Sequence, residues 1–191
     1  MFRRRRIFRP IVPVPVPVTA VNRQTVHPEV VHAHQLMEQG RYSEAADLFS
    51  RIAEAARVRD GPRAPIFSIQ AGRAFILAGQ VDQGIDSIRH GLEGLAAAER
   101  WSDLQGIGQV VVDQLNEKGY PEQAKTISDW LAASLEGKSV AAVVTPPVKQ
   151  PVLPTRCPSC GAAVNSKEMG WLDDLTAECL YCGGPIRAER S

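Results

Sequence analysis

Gln39-Gly-Arg-Tyr-Ser-Glu-Ala-Ala-Asp-Leu-Phe49 holds a helix stop, a turn and the start of an apolar helical face. Ala78-Gly-Gln-Val-Asp-Gln-Gly84 and Lys118-Gly-Tyr-Pro-Glu-Gln-Ala124 carry the same signal. Gly40, Gly79 and Gly119 are spaced by 39 and 40 residues, and five residues after each comes a small one: Ala45, Gly84, Ala124. A glycine that accepts positive φ closes a helix, and a small residue lets the next helix pack closely against it. The sequence therefore contains three helical hairpins in series.

Working outward, apolar residues recur at intervals of three and four from His27 to Glu136. The pattern predicts helices near 28–39, 43–58, 63–79, 81–97, 101–118 and 121–135. The expected apolar faces are Val31, Leu36 and Met37, then Leu48, Phe49 and Ile52, then Phe67, Ala71, Ala74, Phe75 and Ala78. They continue with Ile85, Ile88, Leu92 and Leu95, with Leu104, Ile107, Val111 and Leu115, and with Ala124, Ile127 and Leu131. Pro28 suits a first helical turn and Gly40 a helix end. No strand-like alternation competes here.

These turns resemble tetratricopeptide repeats. The first unit matches through Gln39 to Phe49, the second through Gly72, Phe75, Gly79, Ile85 and Leu92, and the third through Gly119 and Ala124. The period departs from the family's roughly 34 residues, and Arg57 stands where a repeat-closing proline is usual. The resemblance implies stacked antiparallel helical hairpins, α-solenoid-like, over residues 27–136, with a concave face that holds a protein or peptide partner.

Charge divides the chain into blocks. Residues 1–23 carry six arginines and no acid; residues 24–136 carry 10 bases and 16 acids; residues 137–156 carry three bases; residues 157–191 carry three bases and five acids. The sum is the net +1, which excludes a globally basic protein. The tail, residues 1–26, places Arg3, Arg4, Arg5 and Arg6 before Ile11-Val-Pro-Val-Pro-Val-Pro-Val18. Prolines at 10, 13, 15 and 17 forbid helix and disfavour an export signal's apolar core. The expected state is a disordered basic arm able to touch nucleic acid or an anionic surface through its arginines. Residues 137–155, with prolines at 146, 147, 151 and 154, read as a linker, with Val140 to Val144 as a candidate short strand. No run of 18 apolar residues exists, so no transmembrane segment is expected.

All four cysteines lie beyond the linker, as Cys157-Pro-Ser-Cys160-Gly and Cys179-Leu-Tyr-Cys182-Gly. Two paired turns with an 18-residue spacer fit the window for a four-sulfur zinc site, with two disulfides as the alternative in an exported chain and iron in a rubredoxin-like site as the lesser rival. A two-residue spacer folds into a tight turn that aims both sulfurs at one ion, and Gly161 and Gly183 can take positive φ. The segment 156–191 resembles a zinc ribbon. The resemblance implies one structural Zn²⁺ held by Cys157, Cys160, Cys179 and Cys182, with short β-strands at Ala162–Val164 and Thr176–Cys179. Trp171 and Leu172 are expected to cover the small core. Metal supplies the stability that about 35 residues cannot bury for themselves. Paired thiols of this kind belong in a reducing compartment, which makes the cytoplasm the expected location.

Other candidates carry less. His32 and His34 point about 200° apart on a helix and cannot share an ion there; they and His27 are expected to be solvated or partly packed. Gly106 and Gly108 lack the rest of a phosphate loop, and Ser43, Ser68 and Ser87 lack a nucleophile elbow. The expected function is a non-enzymatic interaction adaptor, its ribbon a second contact module tethered by the linker. The alternative is a nucleic-acid-associated regulator working through the arginine tail and ribbon. The ribbon's own balance, three bases against five acids and a −2 metal–thiolate cluster, repels phosphate.

Overall fold

The structure, a computed structural model, describes residues 27–138, 152–166, 169–173 and 175–188. The arginine tail and the candidate strand at Val140 to Val144 lie outside the described residues. Among the described residues there are six helices: α1 (Pro28–Glu38), α2 (Tyr42–Val58), α3 (Ala64–Leu77), α4 (Val81–Ala97), α5 (Trp101–Glu117) and α6 (Pro121–Leu135). Three strands follow, β1 (Gly170–Asp173), β2 (Thr176–Glu178) and β3 (Pro185–Arg187). The fold is mainly helical with one small sheet.

Many of the helix starts and stops have a local cause. Pro28, Pro65 and Pro121 sit in first turns, where a missing N–H costs nothing. Gly40, Gly79 and Gly119 adopt φ of 73°, 82° and 84°. The residue after each donates its N–H back to a carbonyl five positions earlier: Arg41 to Leu36, Gln80 to Phe75 and Tyr120 to Leu115. That is the bond pattern of a left-handed helix cap. The turns between hairpins use a different residue for the same geometry. Glu99, at φ 54°, lets Arg100 donate to Leu95, and Asp60, at φ 51°, precedes Gly61. Arg100 then ties these two turns together, donating to the Pro62 carbonyl at 2.6 Å and to Asp103 at 2.7 Å.

Every helix packs on the one before it, and α4 also meets α6. The α3–α4 contact is the closest. A Cβ on Gly72 would lie 2.5 Å from the Gly84 carbonyl oxygen, and one on Gly91 would lie 2.6 Å from the Pro65 carbonyl oxygen. Glycine at these crossings lets backbone touch backbone. Most expected apolar faces are buried as read, including Phe49, Phe75, Leu92, Leu104 and Leu131. The face of α1 is rotated from expectation. Val30, Ala33, His34 and Leu36 are buried, while Val31 and Met37 are half-buried. The reason is that α1 has two neighbours, α2 and the C-terminal unit.

The C-terminal sheet runs β1-β2-β3, antiparallel throughout. The strand expected at Ala162–Val164 is reduced to one bridge between Arg156 and Ala163, because Cys157 and Ala162 enter the first cysteine turn. The strand expected at Thr176–Cys179 ends at Glu178, where the second turn begins. β1 and β3 were not expected. Leu172 does not cover the core, being 61% exposed. Ile186, Ala177, Ala162, Met169 and Tyr181 fill it, with Trp171 half-buried alongside. That core is continuous with the helical core.

Candidate metal centre

The two cysteine turns fold in the same way. Gly161 N–H donates to the Cys157 carbonyl at 2.9 Å, and Gly183 N–H to the Cys179 carbonyl at 2.8 Å. Cys157 N–H donates to the Ala162 carbonyl at 2.8 Å, and Cys179 N–H to the Gly184 carbonyl at 2.9 Å. Gly161 and Gly183 take φ of 76° and 70°, as expected. The turns thus point both sulfurs of each pair inward. Gly184 N–H also lies 3.4 Å from Cys182 Sγ, a backbone donor aimed at a sulfur.

All four Sγ atoms lie within 4.8 Å of one another and all four cysteines are buried. Cys157 and Cys182 sulfurs are 3.7 Å apart, and those of Cys160 and Cys179 are 3.8 Å apart. A disulfide needs about 2.05 Å. A tetrahedral ion with metal–sulfur bonds of about 2.3 Å needs sulfurs about 3.8 Å apart. The donor set therefore fits a metal ion. Crowding also makes the bare thiols unequal. Hydrogen bonds from Cys160, Cys179 and Cys182 hold Cys157 below the usual thiol range, while the bond to Cys157 pushes Cys160 up. A cation that binds deprotonated sulfur takes the place of these competing protons.

The centre is not isolated from the helices. His34 is 6% exposed and sits between two rings, Phe49 of α2 and Tyr181 of the second cysteine turn, each with centroids 5.1 Å away. Burial holds its imidazole down at about 4, opposed by the charge of Cys157, so it is neutral at pH 7. The expectation that His34 is solvated or partly packed was wrong. It occupies the apolar stripe of α1 together with Val30 and Ala33, and that spacing was the available signal. His27 and His32 are exposed. Arg63 Nη2, from the residue preceding α3, lies 3.2 Å from Glu178 Oε1. Its guanidinium lies across Gly183, where a Cβ would be 2.8 Å from Cζ. Arg156 donates to Glu38 of α1.

Between this unit and helices α1, α3 and α5 lies a groove of about 500 Å³. Its apolar lining includes Ile76, Val111 and Leu115, and its polar lining includes Gln70, Gln114 and Asn165. Val111 and Leu115 were read as part of an apolar helical face, but no local signal placed these residues in a groove, because they come from three separate stretches of chain. Arg3, Arg4, Arg5 and Arg6 lie outside the described residues. No described helix is long and apolar enough to cross a membrane. Comparison with protein-family models, with curated proteins and with solved structures finds no match.

Proposed function

We propose that this chain is a non-enzymatic interaction adaptor. Its helices are stacked tetratricopeptide-like hairpins, and Cys157, Cys160, Cys179 and Cys182 hold one structural zinc ion. Zinc is favoured over other metals by four thiolates at tetrahedral spacing within a ribbon-like pair of turns. The observation that carries the adaptor reading is the groove between α1, α3, α5 and the C-terminal unit. It combines apolar side chains with the carboxamides of Gln70 and Gln114, between charged groups such as Glu117 and Lys118. Each carboxamide offers both a donor and an acceptor, the complement of a peptide unit. An extended peptide segment of a partner protein is the occupant such a lining suits.

The test compares wild type with Gln114→Arg, which fills the groove with a long cation at a position outside the metal centre. Both proteins are used as bait in a cell extract at several salt concentrations. A protein retained by wild type and lost by Gln114→Arg at every salt concentration is the expected result. Retention of nucleic acid that fades with salt, equal for both baits, would instead favour the regulator that uses the arginine tail.

A further inference from the structure

Among the described residues, three side chains that join the C-terminal unit to the helices stand next to a cysteine. Arg156, beside Cys157, pairs with Glu38. Glu178, beside Cys179, pairs with Arg63 at 3.2 Å. Tyr181, between Cys179 and Cys182, meets His34 edge to face, with ring centroids 5.1 Å apart. The glycine after each pair follows the same plan: Gly161 faces Glu38 and Gly183 faces Arg63. The cysteine turns are thus also the docking surface. Their conformation is what an ion fixes, because it ties two turns 18 residues apart in sequence into one shell.

The same unit forms one wall of the groove. Arg156, Gly161, Ala163, Asn165 and Tyr181 face Gln70, Ile76, Gln114 and Leu115 of the helices across it. Resting on the adaptor reading of that groove, we infer that metal occupancy controls it. With the ion bound, the two turns hold Arg156, Glu178 and Tyr181 in register with Glu38, Arg63 and His34, and the groove has two walls. Without it the turns lose their common anchor, the wall leaves, and the buried face of α1 meets water. A unit of this size draws much of its folding free energy from its metal, and its small sheet and core alone leave the two turns without a common anchor. The groove is then a composite surface, present in the loaded protein and absent from the stripped one.

The experiment is hydrogen exchange, resolved by peptide, on the full chain loaded with zinc and on the chain stripped by a chelator under reducing conditions. It needs no partner, so it succeeds or fails independently of the adaptor reading. The expected result is at least tenfold faster exchange in α1 and in residues 155–188 of the stripped chain, with α6 unchanged. A second protein, Tyr181→Ala, separates docking from metal binding. It should keep one zinc per chain yet show faster exchange in α1. Unchanged exchange in α1 of the stripped chain would overturn the inference. So would equal acceleration in every helix, which would mean global unfolding rather than loss of one wall. Tyr181→Ala with full metal and a fully protected α1 would show that the ring contact does not hold the wall, and would overturn it as well.

Discussion

Cys160→Ser is expected to abolish stable metal binding and unfold residues 155–188 while leaving most helical dichroism intact. The substitution leaves three thiolates and a hydroxyl, a weak ligand with a high pKa. Structural zinc sites of this kind bind with apparent free energies of about 10–16 kcal/mol, so losing one ligand removes more than a unit of about 35 residues can spare. The effect on the helices is graded. α2 to α6 pack chiefly on one another, and among them the start of α3 loses the Arg63–Glu178 pair. α1 loses Tyr181 from one face of His34 and Arg156 from Glu38. The thermal transition of the helices should fall by a few degrees without losing cooperativity. Metal content per chain and far-ultraviolet melting together check this. A variant that keeps a full equivalent of zinc, or whose helices collapse altogether, would contradict the account.

Gly72→Val is expected to be the most damaging single change within the helices. A Cβ at this position would stand 2.5 Å from the Gly84 carbonyl oxygen, 2.6 Å from Ile88 Cγ1 and 2.9 Å from the Ile88 N. Two of these neighbours are backbone, so no rotamer change relieves the clash. α3 and α4 must separate, which opens the core around Ile88 and Leu92, both 1% exposed. Overpacking of this kind costs about 1–3 kcal/mol and more where backbone must move; about 3 kcal/mol or more is expected here. Gly40→Ala makes the contrast. Nothing lies within 4 Å of its added Cβ, and the penalty is that of a φ of 73° alone, about 1–2 kcal/mol. Denaturant midpoints of the two variants should differ in that order. Equal midpoints would mean that the α3–α4 crossing is looser than the structure has it.

The six helices were legible because each carries its own evidence. Apolar spacing, an initial proline or a closing glycine lies within a few residues of every boundary. The clustering of the four cysteines was legible for a similar reason, since each paired turn writes its geometry into a five-residue stretch. What stayed hidden depends on distant partners. Arg156 and Glu38 are 118 positions apart, and Arg63 and Glu178 are 115 apart, with no local pattern announcing either pair. β3 was missed because three residues after a turn carry too little alternation to stand out. β1 was missed because Trp171 and Leu172 looked like core, whereas Leu172 faces outward from a strand whose register breaks between Trp171 and Asp173. His34 is the instructive case. A histidine on an apolar stripe was readable as buried, and the expectation of a solvated or partly packed side chain gave residue type more weight than position.

X-ray absorption at the metal edge, with metal content measured on the same reduced sample, tests the central claim most directly. The account predicts one zinc per chain bound by four sulfurs at about 2.3 Å, the distance that the 3.7 Å and 3.8 Å sulfur separations require. A chain purified without metal and without free thiols, its cysteines joined as two disulfides, would contradict it.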